Sequence, residues 1–366
     1  MYQDDKRVVL TLDAGGTNLV FGAMQGGEFI TSPLTLPSHS DNLDLCLETI
    51  VKGFKEMLKQ VPQKPVAISF AFPGPADYPR GIIGGYLPNF PSFRDGVALG
   101  PYLENVFGLP VFINNDGDLF AYGEALSGTL PLINQELEKA GSCKRYNNLM
   151  GFTFGTGFGV GIVVNNQLNI GDNSCVEIFC HPHKHLREII CEEGVSIRAI
   201  KRVYKEMSGD DVSELTPFDI FKIAEGEKEG DRQAAVKAFE MFGEVAGEAI
   251  SIVAQLIDGI VVIGGGIIGA KKYFLPALLK QMRGELSTLS GAKVKRIQMD
   301  VYNLDDPQEL EKFTIGNSRT IKVPGTDKEV PYDPEKKIGV AFTKIGASEA
   351  ISKGAYAFAL SKLDNQ

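Results

Sequence analysis

Residues 8 to 18 read VVLTLDAGGTN, and this stretch limits the fold more than any other. The apolar run 8 to 12 predicts a buried strand that carries Asp13 to its end. Gly15 and Gly16 follow, then Thr17 and Asn18. A turn so poor in side chains lets backbone N–H groups close on a phosphate, and glycine supplies the φ angles such a turn needs. The Thr17 hydroxyl adds a donor. Asp13 is placed to hold a hydrated Mg²⁺ against that phosphate. The same residues also fit an ordinary hairpin turn with one acidic side chain.

Two later stretches repeat the pattern. LMGFTFGTGFGVGIVV, residues 149 to 164, sets Gly155, Thr156 and Gly157 between two apolar runs. DGIVVIGGGIIGA sets Gly264, Gly265 and Gly266 after the apolar run 260 to 263. Three glycine turns after three strands predict one nucleotide held between two halves of a molecule.

The 366 residues suffice for two domains that each bury a core. A content of 43% apolar and 23% charged residues fits a soluble globular chain. The formal charge of −9 offers no basic excess for nucleic acid or an anionic membrane. A single phosphate ligand needs only local donors. The first residues, MYQDDKRVVL, have no signal-like apolar core, and the run near 260 to 270 is too short and Gly-rich to span a bilayer. Cysteines at 46, 143, 175, 180 and 191 make no disulfide framework. The expectation is a cytoplasmic protein with small-molecule partners, and a homodimer is left open.

Residues 7 to 36 alternate apolar runs with Gly turns, as in a β-meander. Residues 41 to 60 follow a helical period, with Leu43, Leu47, Ile50, Phe54 and Leu58 on one face. Strands are expected over 66 to 72 and 110 to 113, and a helix over 117 to 128. Helices dominate 191 to 258, and a helix through 285 follows the strand at 260 to 263. Residues 302 to 340 are polar and read as a surface excursion containing a hairpin. SEAISKGAYAFALSKL predicts a terminal helix. Strands alternating with helices imply an α/β fold with helices covering mixed sheets.

Phosphoryl transfer to an alcohol requires a phosphate cradle, Mg²⁺ and a carboxylate near the attacking hydroxyl. Asp116 is the candidate base. It is expected at a strand end after Asn114 and Asn115, where the asparagines can fix a sugar while the carboxylate takes its proton. INNDGD is also ordinary turn composition. Asp118, expected in the first helical turn, is the weaker candidate.

These segments together resemble the ROK family of sugar kinases, within the actin-like ATPase superfamily that includes hexokinase. LTLDAGGTN is similar to its first phosphate motif, and FPGPAD with LPNFPSF to its sugar-loop region. VFINNDGDLFAYGE resembles its catalytic segment, GFTFGTGFGVGIV its second phosphate motif, and VVIGGGI its adenosine motif. Order and spacing agree over about residues 1 to 290 and again in the terminal helix. The resemblance implies a two-lobed, ribonuclease H-like α/β fold whose lobes, 1–118 with 347–366 and 119–346, close over ATP and a sugar. It implies Asp116 as general base, with Asn115 and Asn89 as sugar ligands. Glu177, in CVEIF, matches the glutamate of the family's E-I-G-H segment, and Glu193, in CEEGVS, that of its C-x-E segment. Two carboxylates accepting a vicinal diol select by geometry.

The family pattern is broken in one place. Its zinc run, C-x-C-G-x-x-G-C plus a histidine, is shortened here to CHPHKHLREIICEEG. Only Cys191 keeps register. Cys180 stands at the E-I-G-H histidine position, with His181, His183 and His185 just after it. Structural zinc is therefore not expected, since it needs four converging N or S ligands. His181 is taken as the candidate sugar contact, with His183 as the competitor. Residues 302 to 340 have no counterpart in the pattern.

Two rivals remain. Gly264-x-Gly266-x-x-Gly269 formally matches a dinucleotide fingerprint, but Glu285, the only acid at the right distance, is expected on a helix. A catalytically silent sugar sensor is the other. Retention of Asp13, Thr17, Asp116 and both Gly-Thr turns argues against it, because a sensor needs neither base nor Mg²⁺ carboxylate.

Overall fold

The computed structural model describes residues 2–365. The chain divides into two compact units. One holds the residues up to Gly128, Gly161–Val176, and those from Ile345 on; the other holds Thr129–Val160 and Glu177–Lys344.

The first unit is built on a mixed sheet. Strands β1 (Val9–Ala14) and β2 (Asn18–Gln25) form a hairpin, followed by β3 (Glu28–Phe29) and β4 (Leu34–Pro37). Helix α1 (Leu43–Gln60) leads to β5 (Ala67–Ala71). The small pair β6 (Ala76–Asp77) and β7 (Ile82–Ile83) precedes α2 (Leu99–Phe107), β8 (Val111–Asn114) and α3 (Asp116–Leu126). The sheet order is β3-β2-β1-β5-β8. β1 runs antiparallel to β2 and parallel to β5, and β4 pairs back onto β2 rather than extending the expected meander.

Alternation along β1 sorts its side chains. Val8, Leu10 and Leu12 enter a core with Phe21, Phe70, and Ile50 and Phe54 of α1. Each such fully buried apolar side chain contributes about 1.5–3 kcal/mol. Leu58, expected on that face, is instead 36% exposed. Asn42 starts α1 by accepting the N–H of Leu45 at 3.1 Å. The other sheet face carries the C-terminal helix α10 (Ala347–Asp364), whose Tyr356, Ala359 and Leu360 pack on Val9, Met24 and Ala67. Helices α3 and α10 touch backbone to backbone. A Cβ on Gly123 would lie 1.9 Å from the Ala350 carbonyl oxygen, and one on Gly354 would lie 1.9 Å from that of Leu119. No larger residue fits at that crossing.

In the second unit, α4 (Thr129–Lys139) precedes β9 (Leu149–Phe154) and β10 (Phe158–Val164). From Gly161 on, β10 belongs to the first unit, where it pairs with β11 (Gln167–Leu168). Helices α5 (Ile197–Ser208), α6 (Pro217–Glu225) and α7 (Arg232–Ile257) lead to β12 (Ile260–Gly264) and α8 (Lys271–Met282). Strands β13 (Glu285–Ser287) and β14 (Lys293–Lys295) form a small hairpin, followed by β15 (Asp300–Asn303) and α9 (Pro307–Ile315). Another hairpin, β16 (Arg319–Lys322) with β17 (Glu329–Tyr332), precedes β18 (Lys337–Phe342). The unit's sheet runs β10-β9-β12-β18-β15, and β12 is parallel to both β9 and β18.

Three expectations are corrected here. The segment 302 to 340 is only partly a surface excursion. Its hairpin is exposed along both strands, but α9 is capped by Asp306, and β15 joins the sheet. β18, which starts within it, is buried at every residue. Lys337 hides that strand in the sequence. It is buried, and its ammonium donates to the Phe313 carbonyl at 2.8 Å and pairs with Glu335 at 3.2 Å. The helix expected through 285 stops at Met282, and Glu285 lies in β13.

Candidate active site

In the first unit, the hairpin turn between β1 and β2 is closed by the Gly15 N–H donating to the Asn18 carbonyl at 2.9 Å. Asp13 pairs with Val20 inside β1, one residue short of the strand's end, where the sequence placed it at the end. Ser38 fixes the turn from behind. Its N–H donates to the Thr17 carbonyl at 3.0 Å, and its hydroxyl to that of Gly16. Gly15, Thr17 and Asn18 are exposed. A Cβ on Gly16 would lie 3.1 Å from both the Cβ and the carbonyl oxygen of Asn89, so Asn89 abuts the glycine turn.

Asp116 opens α3 rather than ending β8, which stops at Asn114. The reason is local. Asn115 adopts an extended backbone as N-cap, and its Oδ1 accepts the Gly117 N–H at 2.7 Å. Asp116 Oδ1 accepts the same N–H at 2.8 Å, which leaves Oδ2 for a substrate. A Cβ on Gly161 of β10 would lie 2.2 Å from the Gly117 carbonyl oxygen, so this glycine lets the strand lie directly against the first turn of α3. Asp118 is 5% exposed and poorly placed to meet a solute. Asn114, one of the two asparagines expected to fix a sugar, ends β8. It is 1% exposed, and its amide nitrogen has no partner among the described residues.

The two candidate carboxyls, Asp13 and Asp116, titrate upward. Burial raises Asp13. Burial, and then the charge of Asp13, raise Asp116, against the lowering effect of the Gly117 N–H. The Asp116 residue is exposed. Two carboxylates that repel at an exposed site suit a divalent cation with oxygen ligands.

In the second unit, β9 ends in the turn Gly155-Thr156-Gly157, closed by the Gly155 N–H donating to the Gly157 carbonyl at 3.2 Å. Ile197 donates to the Gly155 carbonyl at 3.0 Å. Gly265 has φ +98°, and a Cβ there would lie 2.3 Å from the Phe154 carbonyl oxygen. The Gly264-Gly265-Gly266 turn thus packs against the end of β9, where the Gly155-Thr156-Gly157 turn begins. Beyond it, Pro217, Phe218, Phe221 and Phe239 line a recess with Gly266 and Gly269. These aromatics carried no signal in the sequence.

Glu177 and Glu193 sit on one stapled loop, each half-buried. The Cys191 thiol donates to the Ile178 carbonyl at 3.1 Å, the Cys191 N–H to that of His181 at 2.6 Å, and the Glu192 N–H to that of Phe179 at 3.2 Å. Burial pushes the Cys191 thiol up to about 12. Among the described residues, no three His, Cys, Asp or Glu side chains are placed to hold a metal. His183 is the buried histidine of the loop. Its Nδ1 accepts the N–H groups of His185 and Leu186, and its Nε2 lies 2.6 Å from a Cβ built on Gly194. His181 is half-buried. Glu192 is a further residue the sequence reading missed. It accepts the Phe158 N–H at 3.0 Å, directly after the glycine turn.

No helix among the described residues is long and apolar enough to cross a membrane. The model of the ROK family matches residues 9–301. A crystal structure of a glucokinase from Parabacteroides distasonis is 55% identical, covers 99% of each chain and superposes with a TM-score of 0.90. The glucokinase of Thermotoga maritima is 25% identical over 280 residues, 72% of this chain and 83% of that one. The xylose repressor of Bacillus spizizenii is 27% identical over 136 residues, which cover 36% of this chain and under a third, 31%, of the repressor's length. Mixed sheets flanked by helices are the actin-like ATPase fold of these kinases. The chain belongs to the ROK family.

Proposed function

We propose that this protein is an ATP-dependent hexose kinase. The observation that carries the reading is the Asp13–Asp116 pair beside the glycine hairpin, since a base and a cation-holding carboxylate are what phosphoryl transfer asks of a protein. The likeness to the Parabacteroides distasonis glucokinase favours glucose as acceptor.

In this reading the sugar hydroxyl attacks the γ-phosphorus in line, and Asp116 Oδ2 takes its proton. Asn89 and Asn115 contact the sugar. Asn115 has its Oδ1 committed to Gly117, so its amide N–H₂ does the binding. Glu177 and Glu193 accept sugar hydroxyls, and His181 or the buried His183 flanks them. The turns at Gly15-Gly16-Thr17-Asn18 and Gly155-Thr156-Gly157 supply phosphate donors. The adenosine contacts come from Gly264, Gly265 and Gly266, with the base against Phe218 and Phe221. Mg²⁺, held through water by Asp13, would neutralise charge between the β- and γ-phosphates.

A sugar-responsive sensor is the second reading, favoured by the match to the xylose repressor. A coupled assay of ADP release over hexoses, N-acetylhexosamines and alditols separates the two. Sugar-dependent ADP supports the kinase. Sugar binding without any ADP supports the sensor.

A further inference from the structure

The groups around the second glycine turn form a continuous chain that the kinase reading does not itself demand. Glu192 Oε2 accepts the Phe158 N–H at 3.0 Å. Arg198 Nη2 donates to Glu192 Oε1 at 2.9 Å and to Glu193 Oε1 at 3.2 Å. Its Nη1 donates to the Thr156 carbonyl at 3.4 Å. Arg198 stands in the first turn of α5, which Ser196 caps, so its backbone is fixed while its guanidinium reaches back to the turn. The Arg198 and Glu193 side chains are 52% and 38% exposed, so the pair between them is open to exchange.

We propose that Arg198 is a positioning residue that couples a sugar hydroxyl on Glu193 to phosphate binding at Gly155-Thr156-Gly157. The proposal rests on the kinase reading of Glu193 and of that turn. One guanidinium nitrogen is shared between two carboxylates. A hydroxyl donating to Glu193 uses up acceptor capacity and loosens its hold on Arg198. The guanidinium then has donors to give to anionic oxygens at the turn beside it. Conversely, a phosphate that draws Arg198 away frees Glu193 for the sugar. Each ligand removes a cost the other would meet, and the two effects are equal by linkage. An exposed ion pair is weak, so the coupling is about two- to fivefold.

Isothermal titration of the full chain with glucose, with the Mg²⁺ complex of AMPPNP, and with each in the presence of the other measures the factor. In the native protein each ligand should tighten the other about two- to fivefold. In Arg198→Ala the factor should fall to one, with glucose alone binding no more weakly than before and AMPPNP binding weakened. Arg198→Lys keeps the charge without the planar fork, and its factor should lie between the two. A factor of one in the native protein, or native coupling in both variants, overturns the proposal. So does equal weakening of both ligands alone in both variants, which is the mark of a merely structural arginine. Native protein that binds AMPPNP but no glucose overturns the glucose reading itself, and the coupling falls with it.

Discussion

Burial and, as a smaller contribution, the charge of Asp13 raise the carboxyl of Asp116, the residue at the start of α3. Burial and mutual repulsion both make the ionised form of Asp116 costlier in the folded state. A carboxyl whose folded pKa lies above its unfolded value binds protons more tightly in the native state. Its stabilising protonation is complete below the unfolded pKa and is lost as pH rises through the folded one. At neutral pH the ionised group therefore opposes folding.

Asp116→Asn should lower kcat by about 10² to 10⁴, the range for loss of a general base, while glucose binding survives. The same variant should melt at a higher temperature than the native protein at pH 7, and this gain should vanish below about pH 4. Kinetics and thermal melts on one preparation check both. A variant within tenfold of native activity would show that Asp116 is not the base.

The acid limb of kcat/KM should lie above the ordinary aspartate value of 3.8, because burial and Asp13 both raise Asp116. Asp13→Asn should move the limb of the residual activity to lower pH, although not fully, since burial remains. A limb that does not move shows that another group controls the ionisation.

Thr17→Val and Thr156→Val each remove a hydroxyl from a phosphate turn and keep its shape. KM for ATP should rise more than KM for sugar in both. Glu192→Ala should do the same by leaving the Phe158 N–H without its acceptor, by about tenfold or more. Steady-state kinetics with either substrate varied gives the comparison, and normal ATP values throughout would place the cradle elsewhere.

Tag-free protein should contain well under one zinc per chain by elemental analysis. The loop from Glu177 to Glu193 is held by the Cys191 thiol and by backbone hydrogen bonds. Stoichiometric zinc, lost together with stability in Cys191→Ser, would contradict this.

Much of the fold was legible because periodicity and turn chemistry agreed. Residues 41 to 60 read as a helix, and α1 runs Leu43–Gln60 from an Asn42 cap. The three glycine turns follow β1, β9 and β12. What failed was local competition. Asp116 was read at a strand end, but Asn115 caps a helix there and hands Asp116 to α3. β18 was lost among charged neighbours, since nothing in DPEKKIGVAF says that Lys337 is buried. Glu192 looked like a neighbour of the sugar glutamate, and only the folded loop shows it bound to Phe158. Arg198 was missed for the same reason, because one of its partners, the Thr156 carbonyl, lies 42 residues away.

The most direct test of the account is coupled ADP release by the native chain and by Asp116→Asn, with ATP, Mg²⁺ and a panel of hexoses. The account predicts ADP formation that depends on a hexose, glucose first among them, runs orders of magnitude above the sugar-free rate, and falls by about 10² to 10⁴ in Asp116→Asn. A native chain that binds glucose but releases no ADP above the sugar-free background, with any sugar of the panel, would contradict it.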